Sequence, residues 1–308
     1  MIELGFDFDA MASPCELRLQ GNDEAHLHHA AQAAIDEVRR IERKYSRYDE
    51  ASIVSRINAA AGSGQPIEVD EETAALLDFA AHLHELSSGS FDITSGVLRR
   101  AWNFRVPRVP AQREIDALLP LIGWPQAGWH KRRIALPRAG MEIDFGGFGK
   151  EYAADRAAEV LAGESVAHGY VNLGGDIRVV GARGDGSGWR IGIRHPRQEH
   201  ALLRTIELHA GALATSGDYE RYFEVDGRRY CHLLDPRSGW PVNYWQSVSV
   251  IAPTCAAAGA ACTIAALHQR EGEAFLNNER LPFVLVGPQG DVIEDRRQAI
   301  DTPAPREE

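Results

Sequence analysis

Residues 230–241 read "YCHLLDPRSGWP". An apolar, strand-like run ends there in a turn that uses its Pro and Gly but has no use for His232. A second stretch, "DFGGFGKEYAADRAAEVL", sets glycines between a strand and a helix start. That arrangement turns backbone N–H groups and a helix N-terminus toward an anion, and Lys150 at the helix entry can pair with phosphate. A tight turn with a surface lysine accounts for the same residues. The stretch is not a Walker A loop, because no Gly lies five residues before Gly149 and Glu151 stands where Ser or Thr is needed. Nor is it a dinucleotide fingerprint, since Tyr152 occupies the place of the third Gly. "VNLGGDIRVVG" reads as strand, Gly-Gly-Asp turn, strand, with Asp176 at the corner. "ATSGDYERYF" puts Ser216, Gly217 and Asp218 at another strand end, and "SGSFDITSG" offers Asp92 and Thr94 in a loop. Each of these alone is ordinary turn chemistry. Together, glycine-marked strand ends carrying Asp, Ser, Lys or His recur more often than turns require, and such ends are where ligand sites are built.

The elements that must position these corners follow from periodicity. Residues 2–19 alternate as two short strands around "MASPC". Leu27, Ala31, Ala34, Val38, Ile41 and Tyr45 recur at helical spacing and predict a helix over 25–45. A second helix over 71–87 turns Leu76, Phe79, Ala80, Leu83 and Leu86 inward, with Asp70 near its start. "SSGSFDITSG" is expected as a loop. Residues 105–130 are irregular with a short helix near 112–119, and "RRIAL" and "MEIDF" are expected to pair as a hairpin around "PRAG". A helix over 150–162 follows. From 169 on the pattern is mostly strand and turn, interrupted by the small-residue helix "CAAAGAACTIAALH" and closed by the pair "PFVLV" and "DVIED". Antiparallel runs with grouped helices predict an α+β fold, taken as a single domain over 1–297 with a disordered tail over 298–308.

Composition excludes several classes. The chain of 308 residues is 44% hydrophobic and 25% charged, with a formal net charge of −11 and no Lys/Arg block, which argues against a nucleic-acid partner. Cys15, Cys231, Cys255 and Cys262 form no C-x-x-C pair and no zinc spacing, so they read as small buried thiols. No apolar run reaches the roughly 18 residues of a membrane span. The N-terminus has no basic segment followed by an apolar one, so the chain as written is expected in the cytoplasm, or in the periplasm if a signal peptide has been removed.

Several separated blocks, in order, resemble one family, the FAD:protein FMN transferases (ApbE family). These are "MASPCEL", "YSRYDEASIVSRIN", "GSFDITSGVL", "IDFGGFGKEYAADRA", "VNLGGDI", "ATSGDYERYF" and "YCHLLDPRSGWPV", and the resemblance spans about Met11 to Leu267. It implies a fold related to the T-fold, with two subregions and FAD in a cleft between them. It also implies phosphoryl transfer: the FAD pyrophosphate is split, FMN is joined by a phosphoester to a Thr or Ser of a partner protein, and AMP leaves, assisted by Mg²⁺. Carried over by position, Met11, Tyr48, Ser90, Phe91, Asp92, Asp144, Lys150, Asp176, Ser216 and Leu233 would contact the flavin nucleotide. Gly147, through its carbonyl, and Thr263 would face the metal. His232 would be the base for the target hydroxyl, which is a poor nucleophile near neutral pH.

The chain departs from the family pattern where the metal should be held. The family's Ala-Asp stands here as Ala258-Gly259, and its Ser-Thr as Cys262-Thr263, so the usual carboxylate ligand is missing. Ala12-Ser13 replaces Gly-Thr, and Glu151 replaces Gly. Either Glu151, Asp176 or Asp218 supplies a displaced carboxylate and transfer survives, or the protein is a FAD-binding relative without transferase activity.

Overall fold

The computed structural model describes residues 1–295. The expected tail lies outside the described residues. An eight-stranded antiparallel sheet forms the centre. Its strands lie side by side in chain order: Ile2–Ala10, Ser13–Gly21, His168–Leu173, Asp176–Gly181, Ala212–Gly217, Ser247–Ala252, Phe283–Val286 and Val292–Glu294. The helices are α1 (Glu24–Tyr45), α2 (Ile53–Ala59), α3 (Glu71–Leu86), α4 (Gln112–Asp116), α5 (Gly149–Gly163), α6 (Cys255–Leu267) and α7 (Gly272–Asn278). The mixed helix and antiparallel-sheet architecture agrees with the α+β expectation, and the sheet does not close into a barrel.

Strand alternation decides which side chains face the helices. Cys15, Leu17 and Leu19 are buried on one strand and Val171 and Leu173 on its neighbour, and they share a core with α1 and α5. The opposite face of the sheet is covered by a separate hairpin, Trp189–Arg194 with Leu202–Leu208. Its Trp189, Ile191 and Ile206 pack on Ile177, Leu213 and Val284. An aromatic cluster around Trp102, Phe223, Tyr230 and Trp240 ties the Tyr222–Val225/Arg228–Cys231 hairpin to the segment at 98–104.

Helix α1 begins where Asp23 accepts a hydrogen bond from the His26 amide, and every residue expected on its inner stripe is buried. Helix α3 is capped in the same way by Asp70. Helix α6 is apolar all round and is buried on nearly every face. Its N-terminus is held from α5: the Asp155 carboxylate accepts the Cys255 and Ala256 amides at 2.8 and 2.9 Å and also pairs with Arg178 on the sheet. A carboxylate at a helix start opposes the positive end of the dipole and satisfies donors the helix cannot. Asp155→Ala is therefore expected to cost about 1–3 kcal/mol of folding stability through the orphaned buried amides; a chemical-denaturation midpoint equal to wild type would contradict this.

Three local expectations need correction. "RRIAL" and "MEIDF" do not pair. Arg133–Ala135 instead joins Gly128–His130 and Ile67–Glu68 in a small sheet. Residues 141–145 run extended without a strand partner, because the Asn58 side chain brackets Ile143 and the Ile93 carbonyl takes the Asp144 amide. The alternation there still buries Met141, Ile143 and Phe145. "SSGSFDITSG" is not simply a loop, since Asp92 caps a 3-10 helix over Ile93–Arg100. Finally, the strand expected through "RRYCHLL" stops at Cys231, so His232 lies just past its end.

Candidate active site

The glycine-marked corners converge on one cavity of about 1060 Å³. The sheet supplies Asp176, Thr215 and Ser216, the 3-10 segment and its approach supply Ser90 and Phe91, and α5 and α6 supply Lys150 and Thr263. No side chain caps the start of α5. The Gly149 amide is taken by the Phe145 carbonyl at 2.6 Å; the helix start stands beside Gly146 and Gly147, which also line the cavity, and its dipole favours an anion there. Phe91 explains part of the glycine run: a Cβ on Gly147 would meet the Phe91 ring at 2.9 Å.

Lys150 reaches across to the sheet. Its Nζ pairs with the Asp176 carboxylate and donates to the Leu173 carbonyl at 3.2 Å. Burial works against its charge, but Asp176 and Glu151 outweigh burial and hold its pKa above the usual lysine value. Asp176 is fixed from the other side by the Thr215 amide at 3.0 Å. Asp144 pairs with Arg47 and accepts the Gly146 amide at 3.0 Å, which braces the glycine loop.

Asp92 is engaged inside the fold: one oxygen accepts the Thr94 amide and hydroxyl and the other the Trp124 amide. Its edge reaches the cavity lining, but its geometry is that of a brace. Leu233 lines the cavity next to His232. Met11 and Tyr48 do not line it. Met11 sits in a left-handed turn with its amide on Glu42, and Tyr48 is 81% exposed beside Arg47. Arg47 is one of several lining residues that sequence reasoning missed, Arg99, Arg194 and Arg221 among them, although it lies inside the quoted block "YSRYDEASIVSRIN".

Three lining side chains carry buried polar atoms with no hydrogen-bond partner: Ser90 Oγ, Glu151 Oε2 and His232 Nδ1. Buried polar groups are normally paired, so their gathering at one cavity marks where a polar ligand belongs. Burial, reinforced by Arg221, pushes the His232 pKa down to about 4, so the imidazole is neutral near pH 7. Burial, reinforced by the charge of Asp176, pushes the Glu151 carboxyl well above the usual carboxylate range. Burial likewise raises Cys255 and Cys262, and all four cysteines are free and buried, as expected of inert thiols.

The Glu151 shift has a consequence for stability. The folded chain keeps a proton that the unfolded chain releases, so the contribution is favourable at low pH and is lost as pH rises through the folded-state pKa. Without divalent metal, Glu151→Gln is expected to raise the melting temperature at about pH 8 and to change it little at about pH 4. A variant that melts lower than wild type at the higher pH would contradict the direction of the shift.

These features define an α+β protein with a deep, anion-directed cavity between a sheet and the start of a helix. The family model of the ApbE family matches residues 11–285, and the chain belongs to that family. It is 31% identical over 296 residues to the FAD:protein FMN transferase of Klebsiella pneumoniae, covering 91% of this chain and 90% of that one. The FAD:protein FMN transferase of Vibrio cholerae is 30% identical over 257 residues, with 81% and 77% covered. Among solved structures, the ApbE protein of Thermotoga maritima superposes with a TM-score of 0.89 at 32% identity, over 96% of this chain and 97% of that one.

Proposed function

We infer that this chain is an enzyme, a FAD:protein FMN transferase, with FAD as substrate and a second protein as acceptor of FMN. The observation that carries the reading is the convergence of unpartnered Ser90, Glu151 and His232 on a cavity that also holds Lys150 and an uncapped helix start. The reading as a FAD-binding relative without transfer is not favoured, because relatives matched over most of their length carry the transferase name.

The diphosphate of FAD lies against Lys150 and the first amides of α5, which offset its charge and hold it in place. Ser216 and Ser90 offer hydroxyls to the nucleotide. The acceptor presents a Thr or Ser hydroxyl at the His232 side of the cavity. The hydroxyl oxygen forms a new bond to the FMN phosphorus, the bond from that phosphorus to the bridging oxygen breaks, and AMP leaves with that oxygen. The hydroxyl proton passes to the neutral His232 imidazole, whose surroundings leave it unprotonated and free of partners at Nδ1.

A divalent cation such as Mg²⁺ fits the residues present. Among the described residues no three His, Cys, Asp or Glu side chains form a metal cluster. Glu151 nevertheless holds an unpartnered buried oxygen, and Gly147 and Thr263 line the same cavity, a donor set that suits a hard ion also held by substrate phosphates. The ion supplies charge neutralisation for the departing phosphate. The test is incubation with FAD and Mg²⁺, with and without an acceptor domain bearing an exposed Thr. AMP is expected with the metal, together with flavin fixed covalently on the acceptor. Flavin that binds tightly while no AMP forms under any divalent metal would refute transfer.

A further inference from the structure

Gly259 sits in the middle of α6, a helix otherwise built largely of alanine. Its φ is not in the left-handed region, so no backbone requirement explains it. A glycine there weakens the helix by roughly 1 kcal/mol relative to alanine. What explains it is space. A Cβ at position 259 would lie 2.5 Å from Cγ of Glu151 and 2.9 Å from its Oε1. The Glu151 side chain, arriving from the first turn of α5, occupies the volume that a side chain at 259 would fill. Thr263 follows one helical turn later on the same face, and helical side chains lean toward the N-terminus, so Thr263 leans over the turn that holds Gly259.

Three carboxylates are the candidates offered by the sequence, and their surroundings separate them; Asp218 is not among the residues that line the cavity. Asp218 is gripped by Arg197 through both oxygens, with Arg229 beside it. Asp176 is paired with Lys150 and the Thr215 amide. Glu151 is 92% buried, lines the cavity beside Asp176 and Lys150, and keeps one oxygen, Oε2, without a hydrogen-bond partner. We propose that Glu151, lying over Gly259 and acting with Thr263, is the carboxylate ligand of the divalent cation in this chain. The departures at 151 and 259 are then a single exchange, in which the carboxylate has moved from α6 to α5 while its location in space is kept. The inference rests on the transferase reading for its cation, but it concerns only which side chain binds it.

The test is titration of the full-length protein with Mn²⁺, followed by electron paramagnetic resonance in the presence of FAD, with Mg²⁺ as competitor. Wild type is expected to bind Mn²⁺ and to release it to Mg²⁺. Glu151→Gln, which keeps the shape of the side chain, is expected to weaken Mn²⁺ by about 100-fold or more, since even outer partners of a metal ligand cost 10- to 100-fold. Flavin binding without metal, read by fluorescence quenching, is expected to persist. Gly259→Asp alone forces two side chains into one volume and is expected to lower the melting temperature. The double variant Glu151→Gly/Gly259→Asp is expected to recover both melting temperature and Mn²⁺ affinity, a coupling that independent sites would not show. Glu151→Gln with wild-type Mn²⁺ affinity, or a folded double variant that fails to regain the ion, overturns the assignment. A wild type that binds FAD and Mn²⁺ but transfers no flavin overturns the transferase reading and leaves this assignment to be decided by the variants.

Discussion

His232→Ala is expected to slow AMP release from FAD by about 10²-fold or more, the scale of a positioned general base. The loss is expected in turnover, with flavin binding measured by fluorescence little changed, because the role proposed for the imidazole is toward the acceptor hydroxyl and not toward FAD. Its position supports this separation: it follows the last paired residue of its strand, its amide is fixed on the Arg221 carbonyl at 3.0 Å, and its Nδ1 meets no protein group. The environment also sets a pH signature. A base must be unprotonated, and burial with Arg221 lowers this histidine from 6.5 to about 4. As far as His232 governs it, kcat/KM for FAD stays level as pH falls from about 8 to about 6 and declines only toward the lowered value. An acid limb at the ordinary histidine pKa that disappears in the alanine variant would contradict this environment, and unchanged turnover in that variant would remove His232 from the reaction.

Lys150→Met is expected to abolish measurable FAD binding at micromolar concentrations and to destabilise the chain as well. The ammonium stands at the start of α5 and offsets Asp176 and Glu151, so its loss would set the proposed diphosphate beside those two acidic side chains with its nearest cation gone. Breaking a buried ion pair by removing one partner also strands the other charge, at a cost of about 3–5 kcal/mol. The two effects are separable. Lys150→Met/Asp176→Asn removes the stranded charge and is expected to recover much of the melting temperature without recovering flavin binding. A single variant that still quenches flavin fluorescence as wild type does would show that the diphosphate lies elsewhere.

Much of this architecture was legible in the chain because periodic burial leaves a periodic trace. The stripe from Leu27 to Tyr45 is buried as expected, and the strands of "VNLGGDIRVVG" and "PFVLV" lie where alternation and turn residues put them. Legibility failed where side chains replace backbone partners. Met141, Ile143 and Phe145 alternate like a strand, but Asn58, distant in sequence, satisfies the backbone there. The 3-10 turn after Asp92 was hidden in a stretch whose composition suits any polar loop. At the site, the Gly-rich corners and Lys150 were visible because their residue types are conspicuous. Arg47 was not, since nothing local says that an arginine after a helix end will reach Asp144 across the cavity. The relation between Glu151 and Gly259 joins two helices through space and could not be read from either helix alone.

The order of the sheet has a further consequence. Strands Ser13–Gly21 and His168–Leu173 are edge-to-edge neighbours, yet α1 through α5 lie between them in the chain. Arg47, Phe91 and Asp144 come from that long excursion, while Asp176 and Ser216 come from strands made after it. The cavity thus takes its lining from the excursion and from the strands that follow it, so a ligand that binds there requires both to be folded together. A nucleotide held by residues so far apart in the chain couples them, and by binding the folded form it stabilises the whole domain rather than one segment.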